Sequence, residues 1–294
     1  MPFEAAGGAP APSAFRPFVR PCEGPLAAHC RALIAVDVAP RPPAPLAIVP
    51  HESVVLSLQF AAGADPFARV PAERGLLLQV CGLREARHDY VPLGDCRTFF
   101  ALLTPDAALS LSGGDALPGG AAPRRPLAHA WMRPGLVELE DALARQGHDL
   151  QAQLQVFGTW LERMLERRVH VPWQARRAAR IAATLFTRGA STIEALAAAE
   201  GLSRRQLERD FRQWLATTPK HASQVARVQA AARLGKQGLP LAEVAQRLGF
   251  ADQPHMNRMV KSLTGLTPRA LFGTRQNDLS DAFRAATGGG VVYL

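Results

Sequence analysis

Residues 191–272 decide the fold: STIEALAAAEGLSRRQLERDFRQWLATTPKHASQVARVQAAARLGKQGLPLAEVAQRLGFADQPHMNRMVKSLTGLTPRALF writes one helix-turn-helix pattern twice. In the first copy Ile193, Leu196 and Ala197 line one face of a short amphipathic helix, Gly201 breaks it, and Ser203 opens a second helix. In the second copy Leu241, Val244, Ala245 and Leu248 form the corresponding face, Gly249 breaks it, and Asp252 opens the next helix. Capping chemistry supports these boundaries. Ser191 with Glu194, and Ser203 with Gln206, each spell a capping box that satisfies the orphan amides of a first turn. Thr218–Pro219 and Thr267–Pro268 each place a hydroxyl before a proline suited to the first helical position.

Each second helix carries an arginine after its second turn, Arg209 and Arg258, 49 residues apart. A helix over 219–234 fills most of that gap. If it holds the units side by side, their second helices enter successive major grooves on one face of a duplex, roughly 34 Å apart.

The stretch resembles the DNA-binding domain of AraC/XylS-type transcription regulators, in which two helix-turn-helix units are joined by a linker helix. The second copy carries most of the likeness. Residues 249–272, GFADQPHMNRMVKSLTGLTPRALF, are similar to the family's hallmark, with Gly249, Phe250, Gln253, His255, Arg258, Lys261, Thr264, Gly265 and Pro268 in the places it uses. Met256 and Val260 stand where the family usually has larger aromatics, which implies a looser core. Pro240 stands where it usually has a capping serine or threonine, so that helix end has no side-chain cap. The likeness covers roughly residues 185–273, less than a third of the chain.

By helical period Arg205, Glu208, Arg209 and Arg212 share the outward face of the first recognition helix, opposite Leu207, Phe211 and Leu215, and Arg204 flanks them. The resemblance points to Arg205, Glu208 and Arg209 as the DNA readers. An arginine can hold guanine through two hydrogen bonds and a glutamate can accept from cytosine. Glu208 equally fits a helix-surface ion pair with Arg204 or Arg212. In the second recognition helix Gln253, Pro254, Asn257, Arg258 and Lys261 occupy the corresponding exposed positions. Gln253 and Asn257 have amide chemistry for adenine, and Pro254 offers apolar contact only. His255 reads better as a surface or capping residue than as a base contact.

Charge divides along the same line. Residues 171–294 hold 18 Lys and Arg against 8 Asp and Glu, a net of +10, and the remainder holds 16 against 17, so the whole excess behind the chain's +9 lies in the C-terminal part. Arg176, Arg177, Arg180 and Arg188, on a helix over 174–188, read either as DNA-backbone contacts or as a solvated face.

The rest of the chain reads as α+β. Residues 1–25 are rich in Pro, Ala and Gly and read as poorly ordered or laid over the domain that follows. Short apolar runs at 33–38, 46–49, 54–60, 76–82 and 97–103 read as strands, separated by turn compositions such as PRPPAP, AAGADP, PLGD and SLSGGDALPGG. They give residues 26–134 as a β-rich domain, a sandwich or small barrel. In order and texture this resembles the cupin-like effector domains of the same family. Residues 135–145 and 149–168 change to a helical period, with a stripe of Leu150, Leu154, Phe157, Trp160, Leu161, Met164 and Leu165. That connector, 135–170, either packs on its own β domain or pairs with a second copy of the chain. Residues 171–275 form the DNA-binding domain and 276–294 a flexible tail.

His29, His51, His88 and His129 make no His-x-His pair, which leaves a metal-dependent cupin-type enzyme with a DNA-binding appendage as the weaker alternative. No nucleophile triad or phosphate-binding motif is present, so no enzyme and no cofactor is expected. Cys22, Cys30, Cys81 and Cys96 lack metal-ligand spacing and fit reduced structural thiols, with a thiol sensor as the other reading. No leader and no membrane span are apparent, so a cytoplasmic location is expected. The expected partners are double-stranded DNA and, through the resemblance, RNA polymerase for an activator, a small-molecule effector and a second copy of the chain.

Overall fold

The computed structural model describes residues 15–38, 46–60, 76–90, 97–119, 124–127, 129–167, 169–188 and 192–273. The PRPPAP, AAGADP and PLGD segments, Cys96 and the tail lie outside these residues.

An N-terminal antiparallel sheet is followed by a helical domain. Strands β1 (Phe15–Pro21), β2 (Cys30–Val38), β4 (Val54–Phe60), β5 (Leu76–Cys81), β7 (Arg97–Leu103) and β8 (Arg124–Pro126) form one sheet in the order β1-β2-β7-β4-β5-β8. Strands β3 (Leu46–Ile48) and β6 (His88–Tyr90) pair separately. Strand β1 corrects the reading of residues 1–25 as poorly ordered throughout. It pairs with β2 from Phe15↔Val38 to Pro21↔Ala32, and an edge strand tolerates Pro17 and Pro21 because half of its N–H groups need no ladder partner.

Side chains alternate across the sheet. Leu33, Ala35, Leu56, Leu58, Phe99 and Ala101 face a helical layer, while Ile34, Ser57, Gln59, Thr98 and Leu102 are buried on the other face. The helical layer consists of α1 (Pro105–Leu111), α2 (Arg133–Arg145) and α3 (Leu150–Glu166), with Thr104 capping α1 and Asp149 capping α3. The stripe on α3 packs on its own domain: Leu154, Phe157, Trp160 and Leu161 are buried, and the Phe157 ring lies 5.8 Å from that of Phe99. A methyl group at Gly158 would collide with Arg20 and Leu33, so this glycine permits the close approach of α3 to β2.

The helical domain contains α4 (Trp173–Arg188), α5 (Ile193–Ala199), α6 (Arg204–Leu215), α7 (Pro219–Lys236), α8 (Leu241–Arg247), α9 (Gln253–Thr264) and α10 (Pro268–Gly273). The linker helix α7 runs two residues beyond the sequence expectation. The sheet's apolar face, helices α1 to α4, α6 and the start of α7 share one continuous core. Val228, Ala231 and Ala232, further along α7, belong to a second core with Val244, Phe250, Met256 and Val260. The linker helix is therefore buried in both units.

Candidate nucleic-acid interface

The two units are built on one register. Helices α6 and α9 begin 49 residues apart and end 49 residues apart. The turns before them repeat: Leu202 N–H donates to Ala197 O at 2.8 Å, and Phe250 N–H to Ala245 O at 3.0 Å. Gly201 (φ +64°) and Gly249 (φ +66°) hold the left-handed position that makes each turn possible.

The caps form as their chemistry requires, with one shift. Ser203 and Gln206 make the full capping box, Thr218 accepts from His221 N–H, and Asp252 accepts from His255 N–H at 2.6 Å. Thr267 accepts from Ala270 N–H at 3.2 Å, and Pro240 provides no side-chain cap. Helix α5 is capped by Thr192, which accepts from Ala195 N–H at 3.1 Å, and the expected partner of Glu194, Ser191, lies outside the described residues. Thr192 wins because its hydroxyl stands one residue before the first helical position.

On α6 the structure leaves Arg204, Arg205, Arg209 and Arg212 exposed around a half-buried Glu208. Glu208 accepts from Arg204 Nε at 3.1 Å and lies 3.8 Å from Arg212, so its ion-pair reading is realised. Arg204 also pairs with Glu194 across the turn at 3.1 Å. Arg205 and Arg209 make no ion pair among the described residues and border a shallow depression with Ser203 and Gln213. Gln213 was not legible as a site residue, although it follows Arg209 by one helical turn.

On α9 Pro254, Arg258 and Lys261 are exposed and Gln253 and Asn257 are half-buried. The Asn257 side-chain oxygen is buried without a hydrogen-bond partner. An adenine contact through both ends of that amide requires the side chain to swing outward. His255 is structural: its ring meets Phe250 edge-on at 5.7 Å, and Nδ1 accepts weakly from Ala251 N–H at 3.4 Å.

Two arginines outside the recognition helices build the site without facing outward. Arg177 is buried and ion-paired with Asp210 on the inner side of α6, its guanidinium stacked 4.3 Å from the exposed Trp173 ring. This removes Arg177 from the set that could meet the DNA backbone. Arg180 pairs with Glu200 at 2.9 Å, and Arg176 stays exposed. Arg227 of α7 donates to Leu248 O at 3.2 Å and Gly249 O at 2.7 Å, with Phe250 beneath it at 4.0 Å. It satisfies carbonyls left open where α8 ends, and burial lowers its pKa from the usual arginine value. Among the described residues no group of three His, Cys, Asp or Glu converges as a metal site, and no helix is long and apolar enough to cross a membrane.

Two exposed, arginine-bearing helices, each preceded by the same tight turn and joined by a doubly buried helix, define a DNA-binding protein of the helix-turn-helix class. Residues 196–274 match the family model described as a helix-turn-helix domain. Among solved structures the chain is similar to the C-terminal domain of AraT, a response regulator from Geobacillus stearothermophilus, at 27% identity over 36% of this chain and 88% of that one, with a TM-score of 0.31. It is similar to ToxT from Vibrio cholerae O395 at 8% identity over 88% of this chain and 97% of that one, with a TM-score of 0.40. It is also similar to unsaturated fatty acid bound wild-type ToxT from Vibrio cholerae strain SCE256, at 8% identity over 79% of this chain and 93% of that one, with a TM-score of 0.37. No curated protein matches the chain. At such scores the assignment stands on the family match and on the duplicated register. Residues 196–274 therefore form a helix-turn-helix domain of the AraC type, and this domain is the DNA-binding part of the chain.

Proposed function

We propose that the chain is a sequence-specific transcription regulator that reads two successive major-groove segments, one with α6 and one with α9. The observation that carries this reading is the 49-residue register, which puts Arg205 and Arg209 on α6 and Pro254 and Arg258 on α9 at equivalent exposed places. Arg209 and Arg258 are the base readers, Arg204, Arg212 and Lys261 hold phosphates, and Gln253 and Asn257 supply amide contacts. Glu208, held between two arginines, orients them more than it reads cytosine.

The N-terminal domain is the regulatory half. The buried second face of its sheet sets Gln59 directly opposite Thr98, with Ser57 beside them and the Gln59 Oε1 unpaired. That polar row would receive a small polar effector. Dimerisation, contact with RNA polymerase and a cytoplasmic location accompany this reading, and no catalytic role or cofactor is part of it. The working division of the chain is a sheet domain over 26–134, extended back to Phe15 by β1, then 135–170, 171–275 and 276–294.

Binding-site selection from random DNA by wild type, Arg209→Ala and Arg258→Ala tests the proposal. Each substitution should relax preference at one position, the two positions about ten base pairs apart, at a cost of roughly 1–3 kcal/mol. A uniform loss across all sequences would reassign that arginine to the phosphate backbone.

A further inference from the structure

The corner between β1 and β2 holds a pair of thiols that DNA binding does not use. Cys22 follows β1, and its N–H donates to Arg31 O at 3.1 Å. Cys30 opens β2, and the intervening chain turns back through a short 3-10 helix, Gly24–Ala28. Both side chains reach the same hydrophobic cluster, Cys30 fully buried within it and Cys22 half-buried at its edge. Residues 30 and 33 of a regular strand would face opposite ways, yet Cys30 and Leu33 share that cluster. A slip in the β2–β7 register between them accounts for it, because an extra residue in one strand turns the following side chains over.

The two sulfurs are chemically unequal. The neighbouring Cys30 thiol and, less strongly, the Arg20 guanidinium lower the Cys22 pKa from the usual thiol value, against the opposing effect of burial. Burial pushes Cys30 well up, and its Sγ donates to Ala32 O at 3.3 Å. Glu23 and His29 are the other titratable residues of the connecting turn. Cys81 provides an internal contrast: it is buried, burial raises its pKa, and its polar neighbours are Arg84, Arg124 and Ser57, with no second thiol among the described residues.

We propose that Cys22 and Cys30 form a reversible oxidation site, with Cys22 as the thiol that meets a hydroperoxide and Cys30 as the thiol that resolves it. The Cys22 thiolate attacks the terminal peroxide oxygen, an S–O bond forms and the O–O bond breaks. The sulfur loses two electrons to the peroxide, whose other oxygen takes up a proton and leaves as water or an alcohol. Cys30 sulfur then attacks Cys22 sulfur, the S–S bond forms, and the hydroxyl group departs with the Cys30 proton as water. An external dithiol returns both residues to thiols.

The test uses the full chain, hydrogen peroxide removed by catalase, and maleimide added together with denaturant so that buried thiols are counted as well. No Lys or Arg lies between residues 22 and 30, so one tryptic peptide carries both cysteines. The titratable thiols should fall from four to two. The shared peptide should be unmodified by maleimide and lighter by two hydrogens, and dithiothreitol should restore it. Cys22→Ala, at the edge of the cluster, should keep its remaining thiols under the same treatment. In Cys30→Ser, Cys22 should be trapped as sulfenic acid by a 1,3-diketone. Loss of the pair no faster than loss of Cys81, or equal thiol loss in Cys22→Ala, would overturn the assignment.

Discussion

Leu207, Phe211 and Leu215 of α6 hold the same places as Met256, Val260 and Thr264 of α9, 49 residues on, but the two sets close different cores. The first set joins α4, α1 and the sheet in one apolar cluster. The second closes a smaller cluster among α7, α8, α9 and α10, to which the N-terminal domain adds Val49. Beyond that, the sheet domain meets the second half through polar contacts: Gln229 donates to Pro50 O at 2.6 Å, Arg87 N–H to Leu263 O at 3.2 Å, and His221 Nε2 bonds Arg84 O at 3.2 Å. The first unit is thus an extension of the sheet domain, whereas the second is held mainly by the linker helix. Two copies of one motif acquire different mechanical roles from what lies behind them.

The largest test of that difference is truncation of the two cores. Phe211→Ala should cost roughly 3–5 kcal/mol and lower the stability of α6 and the sheet domain together, because the cavity opens in their shared cluster. Met256→Ala should cost roughly 2–5 kcal/mol and act locally. Calorimetry gives the sizes, and hydrogen exchange gives the extent: faster exchange in β2 and β7 is expected for the first variant and not for the second. Equal spread in both would erase the distinction between the units.

The second test concerns a device only the first unit has. Asp210 and Arg177 are buried together, and the place equivalent to Asp210 on α9 is Met259. Asp210→Ala strands a buried guanidinium and should cost about 3–5 kcal/mol, while an apolar pair at both positions should be near neutral. The exposed pairs Arg204–Glu194 and Arg247–Glu243 should each be worth less than about 1 kcal/mol. Urea midpoints of the single and double variants decide it. A near-neutral Asp210→Ala would mean that water reaches the pair and that α4 holds α6 by apolar contact alone.

Much of the helical domain was legible because its signals are local. Ser203 with Gln206, the turn glycines Gly201 and Gly249, and Thr218–Pro219 act within four residues of themselves, and each does in the structure what its chemistry implies. Period alone gave the outward arginines of α6 and α9, but not that Gln253 and Asn257, read as exposed, would be half-buried. The union of the first unit with the sheet was not legible, because α4 enters the shared core through Ala175, Ala178, Ala179 and Ala182 as well as Ile181, Leu185 and Phe186, and an apolar face on a helix does not say which domain covers it. Arg177 looked like a surface cation since nothing near it in sequence reveals Asp210, 33 residues away. Strand β1 hid behind its prolines, which a central strand would reject and an edge accepts.

The smallest expected effect lies where the recognition helices end. Helix α6 closes on Ala216 at φ +51°, the one non-glycine with positive φ among the described residues, and α9 closes on Gly265 at φ +75°. A left-handed conformation costs a side-chain-bearing residue about 1–2 kcal/mol. Glycine removes that cost but gives back about 0.4–1 kcal/mol through the freedom it adds to the unfolded chain. Ala216→Gly should therefore stabilise the first unit by about 1 kcal/mol or less. The approach of Gly119, where a methyl group would sit 2.3 Å from the Ala216 Cβ, limits the gain because the alanine methyl is already in contact there. Gly265→Ala should destabilise the second unit by a similar amount, since only Arg87 side-chain atoms approach it, at 3.7 Å or more, and nothing there rewards a methyl group. Thermal unfolding of both variants reads the two signs. If Ala216→Gly lowers the midpoint, the contact with Gly119 outweighs the backbone strain, and the end of α6 is held by the sheet domain as firmly as its core is.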